Sequence, residues 1–166
     1  MNKTAIIIIT FNNADLICKQ VELLRRFCKD DFDIVIIDNS NKQEVIDAIK
    51  YYNNETLKCI YYKTQSTSGD GSESHTFAAN FAYSKLKDGY DYFGFIDHDI
   101  FPLKEFSVKK ILENKLMAGI GQHKSKIYFW PGCLFFDNGK IDKSLVDFSI
   151  NRELQLDTGG NLYRVI

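Results

Sequence analysis

The acidic pair Asp97 and Asp99 is the feature of this sequence best suited to chemistry. His98 separates the two residues, and they follow residues 92–96, an aromatic and apolar run typical of a strand buried on both faces. An extended backbone through Asp99 would place both carboxylates on one side and His98 on the other. Two like charges at that spacing are unfavourable unless a cation lies between or in front of them. The pair predicts a divalent metal that carries a phosphorylated ligand, and the alternative is an ordinary solvated turn before Pro102.

The elements that precede the pair predict a sheet that could position it. Three apolar runs predict buried strands, at residues 5–9, 33–37 and 57–62. Helical periodicity over residues 14–28, and again after residues 40–43, gives the order β-α-β-α-β. Asn12 or Asn13 would cap the first helix, and Ser40 would cap the second through a capping box. The handedness of crossover connections makes this a half-Rossmann unit with parallel strands.

The rest of the chain predicts one more helix, the strand before the acidic pair, and an antiparallel region. Residues 63–74 are rich in glycine and serine and predict a loop, which lacks both phosphate-loop patterns. A helix is predicted over about residues 74–86, with Phe77 on its apolar face, and a short helix near residues 106–112. Short strands are predicted at residues 117–121, 127–130 and 134–136, with a hairpin-type turn at residues 137–140. Their short connections favour antiparallel pairing, so we expect a mixed sheet.

Composition excludes several classes of protein. The chain has 166 residues, 45% of them hydrophobic and 26% charged, which fits a single soluble domain. A net charge of -1 gives no electrostatic basis for binding nucleic acid. Four cysteines without metal-type spacing argue against a zinc or disulfide framework. The apolar run at residues 5–9 is too short to span a bilayer, so we expect no transmembrane segment and a cytoplasmic protein, with peripheral membrane association left open.

The motifs, taken in order, resemble the glycosyltransferase family 2 of nucleotide-sugar-dependent enzymes. Five segments carry the resemblance: residues 6–12, 36–40, 79–80, 95–99 and 130–136. The resemblance implies an α/β chain with the GT-A (Rossmann-like) fold, a three-layer sandwich around a mostly parallel, mixed central sheet. It also implies a single domain over residues 1–166. Residues 1–101 would form the nucleotide-sugar and metal-binding half, and residues 102–166 a short acceptor-side half.

The resemblance implies roles for particular residues. Five of them would bind the nucleotide: Thr10, Asn12, Asp38, Asn80 and Asp97. The Asp38 carboxylate would accept a hydrogen bond from a ring N–H of the base. Asp97 would lie near the ribose and the metal, and Asp99 would ligate Mn²⁺ or Mg²⁺ that bridges the diphosphate. Hard divalent cations prefer carboxylate and phosphate oxygens, which agrees with these roles.

Enzymes of this type generally invert the anomeric centre, which requires a base to take the proton of the acceptor hydroxyl. Asp157, which precedes Thr158 and two glycines, is the first candidate, and Asp142 and Asp147 are the others. A turn or helix cap is the structural alternative for Asp157. We interpret His75, His98 and His123 as ordinary surface or hydrogen-bonded histidines, with His123 a conceivable further ligand.

The function implied is transfer of a sugar from a nucleoside diphosphate sugar to a hydroxyl of a carbohydrate or lipid-linked acceptor, in polysaccharide or glycan assembly. Two departures from the family pattern bear on it: Phe11 replaces the usual tyrosine, and the chain ends at Ile166, short of the usual acceptor-binding helices. A small variant, a fragment and a non-catalytic nucleotide-binding module all remain open. A sugar nucleotidyltransferase is a further alternative, but residues 10–13 offer no glycine-rich loop with Arg or Lys.

Overall fold

The computed structural model describes residues 3–65 and 69–166. The predicted loop at residues 63–74 falls partly on residues 66–68, outside the described residues. Six strands form one sheet: β1 (Thr4–Thr10), β2 (Phe32–Asp38), β3 (Ile60–Lys63), β4 (Tyr92–Asp97), β5 (Met117–His123) and β6 (Ile127–Asp137). The described residues also form four α-helices: α1 (Asp15–Phe27), α2 (Gln43–Tyr52), α3 (Gly71–Leu86) and α4 (Val108–Ile111).

The strand order is β3-β2-β1-β4-β6-β5, and β1 to β4 are mutually parallel. β6 pairs antiparallel with both β4 and β5, so the predicted mixed sheet is confirmed. Because β6 joins the sheet beside β4, one continuous sheet connects the two halves that the sequence predicts.

The core lies in two layers, one on each face of the sheet. On one face, even-numbered residues of β1 such as Ile6 and Ile8 pack with α1 and α2. On the other face, odd-numbered residues such as Ile7 and Ile9 pack with α3 and the chain beyond β6. The alternation follows from the pleat of the strand, and it produces the predicted three-layer arrangement.

The third strand begins later than predicted. Asn53–Leu57 continues α2 as one π-helical turn, and Lys58 leaves it with a left-handed φ of 51°. Leu57 is 4% exposed and packs in the core that α1 and α2 share, so its apolar character serves that core and not a strand. The prediction of a strand from residue 57 is therefore wrong by three residues.

The two short strands predicted at residues 127–130 and 134–136 form the single strand β6. The pairing of β5 with β6 is irregular between Gly119 and Gly121, where one residue of β5 lies opposite residues 130–133 of β6, the stretch that contains Pro131. A Cβ atom at Gly119 would lie 2.3 Å from the Cys133 carbonyl oxygen, so this close approach requires glycine. Residues 137–140 do form a turn, closed by the Lys140 N–H on the Asp137 carbonyl, but no strand follows it.

Helix α3 starts three residues before its predicted start and presents a different face to the sheet. Asp70 caps it, accepting from the N–H groups of Ser72 and Glu73. The buried side chains are mostly small: Ala78, Ala79, Ala82, Tyr83 and Leu86. Phe77, predicted to be on the apolar face, is 46% exposed because the alanine stripe turns it outward.

No helix within residues 3–65 and 69–166 combines the length and the apolar character needed to cross a bilayer.

Candidate functional site

A cavity of about 290 Å³ opens at the carboxyl ends of the parallel strands. It is lined by the ends of β1 to β4 and the start of α3: residues 9–11, 39, 41, 65, 69–71, 74–75 and 97–98. We call it the strand-end cavity. It lies where β1 has β2 on one side and β4 on the other, which is the point of an open α/β sheet at which ligands bind.

Asp97, the last residue of β4, lies on the wall of the strand-end cavity. Phe93 and Phe95 point toward α3, so the alternation along the strand sends the Asp97 side chain the same way. There the Asp97 Oδ1 atom lies 2.6 Å from Nε2 of His75, which is in the second turn of α3. Both side chains are about one-fifth exposed. Asp97 thus lies where the sequence predicts it, with a histidine partner that the sequence analysis did not assign.

The backbone after Asp97 does not stay extended. The Ile100 N–H donates to the Asp97 carbonyl at 3.0 Å, which closes a turn over residues 97–100. His98 lines the strand-end cavity, with Nδ1 3.3 Å from the Ile9 carbonyl oxygen, whereas Asp99 is exposed and outside the cavity lining. The predicted alternation, with His98 facing away, is therefore wrong beyond Asp97.

Gln20 of α1 holds this turn from the opposite face of the sheet. The residue is fully buried, and its Nε2 donates to the carbonyl oxygens of Asp97 and Ile100 at 2.7 and 2.8 Å. Gln20 is not among the site residues that the sequence predicts. A polar residue in the apolar stripe between Ile17 and Leu24 is the signal that could have found it.

The available donors fit a hard divalent cation that shares its coordination with a ligand. Among the described residues, no group of three or more His, Cys, Asp or Glu side chains could hold a metal alone. Asp97 offers a carboxylate at the cavity wall, and Asp99 offers another two residues further on, outside the lining. Mg²⁺-type ions commonly bind one or two carboxylates together with substrate phosphates. No described residue that lines the cavity is Lys or Arg, so phosphate charge there would need such a cation.

Asp38 lies behind the cavity wall and not on it. The residue is fully buried; Oδ1 accepts from the Ser40 N–H at 2.9 Å and Oδ2 from the Tyr61 hydroxyl at 2.7 Å. Burial, and then the neighbouring Asp38 carboxylate, raises the pKa of Tyr61, which keeps this hydroxyl a donor. In this structure Asp38 therefore supports the loop that follows β2.

Asn12 joins the loops after β1 and β2, with a left-handed φ of 52°. Its Oδ1 accepts from the N–H groups of Asn41 and Lys42, and its own N–H donates to Ser40 Oγ at 2.9 Å. We call these three hydrogen bonds the clip between Asn12 and Ser40. Ser40 takes part in this clip and does not form the predicted capping box, and α2 begins without a side-chain cap. Asn13 Oδ1 accepts from the Leu16 N–H at 3.3 Å, as expected for a residue at the start of α1.

Thr10, the last residue of β1, contributes to the cavity wall although it is fully buried. Its hydroxyl donates to the Asn13 carbonyl oxygen at 3.2 Å, which tightens the loop after β1.

Asn80 faces a different cavity, of about 690 Å³, between α3 and the chain beyond β6. Its amide donates to Asp147 and Ser149, and its carbonyl accepts from the Phe148 N–H at 2.9 Å. These bonds attach the C-terminal segment to α3. The structure does not bring Asn80 to the strand-end cavity.

Asp157 is exposed and lines a third cavity, which shares Asp70 with the strand-end cavity. Partial burial raises the pKa of Asp157, but hydrogen bonds from Thr158 and Ser72 and the charge of Lys124 outweigh it and lower the net value. Asp157 therefore accepts local hydrogen bonds, as the turn alternative requires, and is also an ionised carboxylate near the start of α3.

The other candidates lie elsewhere. Asp142 is exposed, and hydrogen bonds from Ser144 lower its pKa. Asp147 is occupied by the C-terminal segment, accepting from Ser149 and Asn161. His123 ends β5, is exposed and does not line the strand-end cavity.

Many solved structures match this fold, among them the following three. The mannosyltransferase PcManGT from Pyrobaculum calidifontis, solved with GDP-Man and Mn²⁺, is 12% identical with a TM-score of 0.58, over 87% of this chain and 48% of that one. TarS from S. aureus is 17% identical with a TM-score of 0.54, over 92% of this chain and 31% of that one. A structure of residues 1–349 of TarS is 12% identical with a TM-score of 0.51, over 89% of this chain and 50% of that one. The chain thus spans half or less of each of these proteins, and the predicted GT-A fold class is confirmed.

No curated protein sequence matches the chain. The family model described as glycosyl transferase family 2 matches residues 5–155, a span that contains every described residue that lines the strand-end cavity and the sheet except its first residue, Thr4. The chain therefore belongs to glycosyl transferase family 2, as the resemblance of its motifs implies.

Proposed function

We propose that this chain carries the donor site of a metal-dependent, inverting glycosyltransferase. It transfers a sugar from a nucleoside diphosphate sugar to a hydroxyl of a carbohydrate or lipid-linked acceptor. Membership of the family supports the reaction class. The binding of GDP-Man and Mn²⁺ by a protein of the same fold supports the donor type and the metal.

The observation that carries the proposal is the position of Asp97. Asp97 lies at the end of a parallel strand and on the wall of the strand-end cavity. The turn that follows it contains a second carboxylate, Asp99, outside the cavity lining. Carboxylates in that position suit a cation that binds a diphosphate from the same side.

The residues of the proposed site have three separate roles: shaping the nucleoside loops, binding the metal and taking the acceptor proton. The clip between Asn12 and Ser40 and the buried Asp38–Tyr61 pair shape the loops where the nucleoside lies. Asp97 and Asp99 would hold the divalent ion, which would stabilise negative charge on the departing diphosphate. Asp157 takes the proton of the acceptor hydroxyl as the bond to the sugar forms.

A thermal-shift panel of UDP, GDP and dTDP, with and without Mn²⁺, tests the donor site. At about a hundredfold excess over Kd, the matching nucleotide with Mn²⁺ should raise Tm by roughly 5 °C or more. Asp99→Asn should remove the Mn²⁺-dependent part of the shift, because the amide loses the charge that binds the cation.

Asp88→Asn is the matched control, since Asp88 is an exposed aspartate after α3, at the opposite end of the sheet. It should keep the full shift. If the wild-type protein shows no shift with any of the three nucleotides, the donor site is wrong. Nucleotide binding without transfer of the donor sugar would instead favour the non-catalytic module.

A further inference from the structure

We propose that His75 and Gln20 are positioning residues that fix the Asp97–Ile100 turn and orient the Asp97 carboxylate for a cation and diphosphate. This inference rests on the proposed function. The two side chains lie on opposite faces of the sheet, His75 on α3 and Gln20 on α1, and each contacts Asp97.

The two oxygens of the Asp97 carboxylate lie in different surroundings. Oδ1 lies 2.6 Å from Nε2 of His75, which is a hydrogen-bond distance. That bond fixes Oδ1, and Oδ2 makes no hydrogen bond to any residue within 3–65 or 69–166. One oxygen of Asp97 is thus held by α3 while the other stays available at the cavity wall.

The backbone beneath that carboxylate is held by Gln20. Gln20 Nε2 donates to two carbonyl oxygens three residues apart, those of Asp97 and Ile100. Both bonds come from one fully buried amide, so the direction in which the turn leaves β4 is set from inside the α1 layer. The position of Asp99, in the middle of the turn, follows from the same two bonds.

Each of the two side chains also contains a buried polar atom without a hydrogen-bond partner among the described residues. Three buried side-chain nitrogen or oxygen atoms of the described residues lack a hydrogen-bond partner: Thr4 Oγ1, Gln20 Oε1 and His75 Nδ1. Two of the three belong to the side chains that hold this turn. Buried polar atoms without partners are rare because they reduce stability, so both residues carry a stability cost at this place.

An apolar side chain at position 20 would remove the unpartnered Oε1 atom, but it would also leave the two carbonyl oxygens of the Asp97–Ile100 turn without their donor. Gln20 lies on the buried face of α1 with Ile17, Val21 and Leu24, and methionine is an apolar residue of similar length. A glutamine in this apolar stripe is explained if its amide is needed to shape the turn. A purely structural role predicts that the apolar variant changes stability alone and leaves affinity unchanged.

The test measures Mn²⁺ and nucleoside diphosphate binding by titration calorimetry, and Tm without ligand, on the same variants. Gln20→Met should weaken binding about tenfold, the usual scale for residues that orient metal-binding carboxylates, and should lower Tm because two backbone carbonyl oxygens lose their donor. Affinity is measured well below the Tm of each variant, so that the two effects are separated. His75→Leu should also weaken binding about tenfold. His75→Gln should restore binding to near the wild-type value, because its amide can donate to Asp97 from a position close to that of Nε2.

Thr4→Val is the matched control, because Thr4 carries the third unpartnered buried atom but lies at the amino end of β1. It should leave affinity unchanged. If wild-type protein binds and Gln20→Met and His75→Leu bind equally well, the positioning role is wrong and the donor site stands. If wild-type protein binds no nucleotide with Mn²⁺, the proposed function itself fails.

Discussion

Two carboxylates meet the first two turns of α3 from different parts of the chain. Asp97 contacts His75, and Asp157 lines the same cavity as Ser72, one helical turn earlier. Thr158 adds a bond from its hydroxyl to the Ser72 carbonyl oxygen. The start of α3 therefore joins the proposed metal-binding residue to the proposed base, although the two lie 60 positions apart in the sequence.

Asp157→Asn should reduce sugar transfer at least a hundredfold and leave the affinity for nucleotide and Mn²⁺ unchanged. The amide cannot take the acceptor proton, and general base catalysis contributes about 10²–10⁴ in rate. Initial rates with the matching donor sugar, together with binding titrations, measure both effects.

The pH profile provides a second readout of the same prediction. The pKa of Asp157 is lowered, so the base stays ionised above its ordinary value of about 3.9 and causes no loss of rate between pH 8 and pH 5. Asp142→Asn serves as the control and should retain full activity. Transfer by Asp157→Asn within twofold of wild type would remove Asp157 as the base.

At the scale of elements, α3 connects the cavity to the core. Its first turn lines the strand-end cavity, and its buried stripe, which includes Ala78 and Ala82, packs on the sheet. Small side chains let the helix axis approach the strands closely, which brings His75 within reach of Asp97. The geometry of the site thus depends on where α3 begins.

Asp70→Ala should lower the free energy of unfolding by about 1 kcal/mol, the usual cost of losing an N-cap. The N–H groups of Ser72 and Glu73 would lose their acceptor, and the first turn of α3 would fray. Urea denaturation measures the change. Asp70→Asn keeps a capping oxygen and should cost only a few tenths of that amount, so equal losses in both variants would contradict the capping role.

Elements with a strong periodic signal could be predicted from the sequence, and those set by long-range contacts could not. The isoleucines of β1 and the run that forms β4 identify both strands to within a residue or two. The continuity of β6 depends on an approach between Gly119 and Cys133 in different strands, which no local pattern reveals. Phe77 was misplaced because its hydrophobicity outweighed the alanines that in fact face the sheet.

The same limit applies to the site. The sequence predicts that Asp97 lies at a strand end because that position is a local property of the sequence, and the structure has it there. Gln20 and His75 lie 77 and 22 residues from it and reach it only after folding. The sequence also predicts Asp38 at a strand end, but its hydrogen bond from Tyr61 depends on the neighbouring strand.

At the scale of the whole molecule, Asp147 attaches the C-terminal segment to the rest. Its Oδ1 accepts from Asn80 and the Ser149 N–H, and its Oδ2 accepts from Asn161 at 2.7 Å. Partial burial raises the pKa of Asp147, but the bonds from Ser149, Asn161 and Asn80 outweigh it and lower the net value.

Asp147→Ala should therefore lower the free energy of unfolding by about 2 kcal/mol at pH 7, the scale of hydrogen bonds to a charged group. Because the pKa is lower in the folded than in the unfolded state, this stability is present above about pH 4 and is lost as pH falls through the folded value. Urea unfolding at pH 7 and pH 3 should show that the difference in free energy of unfolding between variant and wild type is smaller at pH 3. A difference that stays constant would contradict the linkage, and Asp88→Asn should change stability little at either pH.

The central place of β1 has a consequence for how the protein is made. All seven of its residues are buried, and it pairs with β2 at Phe32 on one side but with β4, from Tyr92, on the other. A ribosome that adds about 5–20 residues per second needs several seconds to supply the second partner. During that interval an isoleucine-rich edge is open to pairing with other nascent chains. Soluble yield during expression should therefore depend on growth temperature and chaperone supply, because the edge formed by residues 5–9 is unpaired during synthesis. This dependence should be the same whether or not the cavity can bind its ligand.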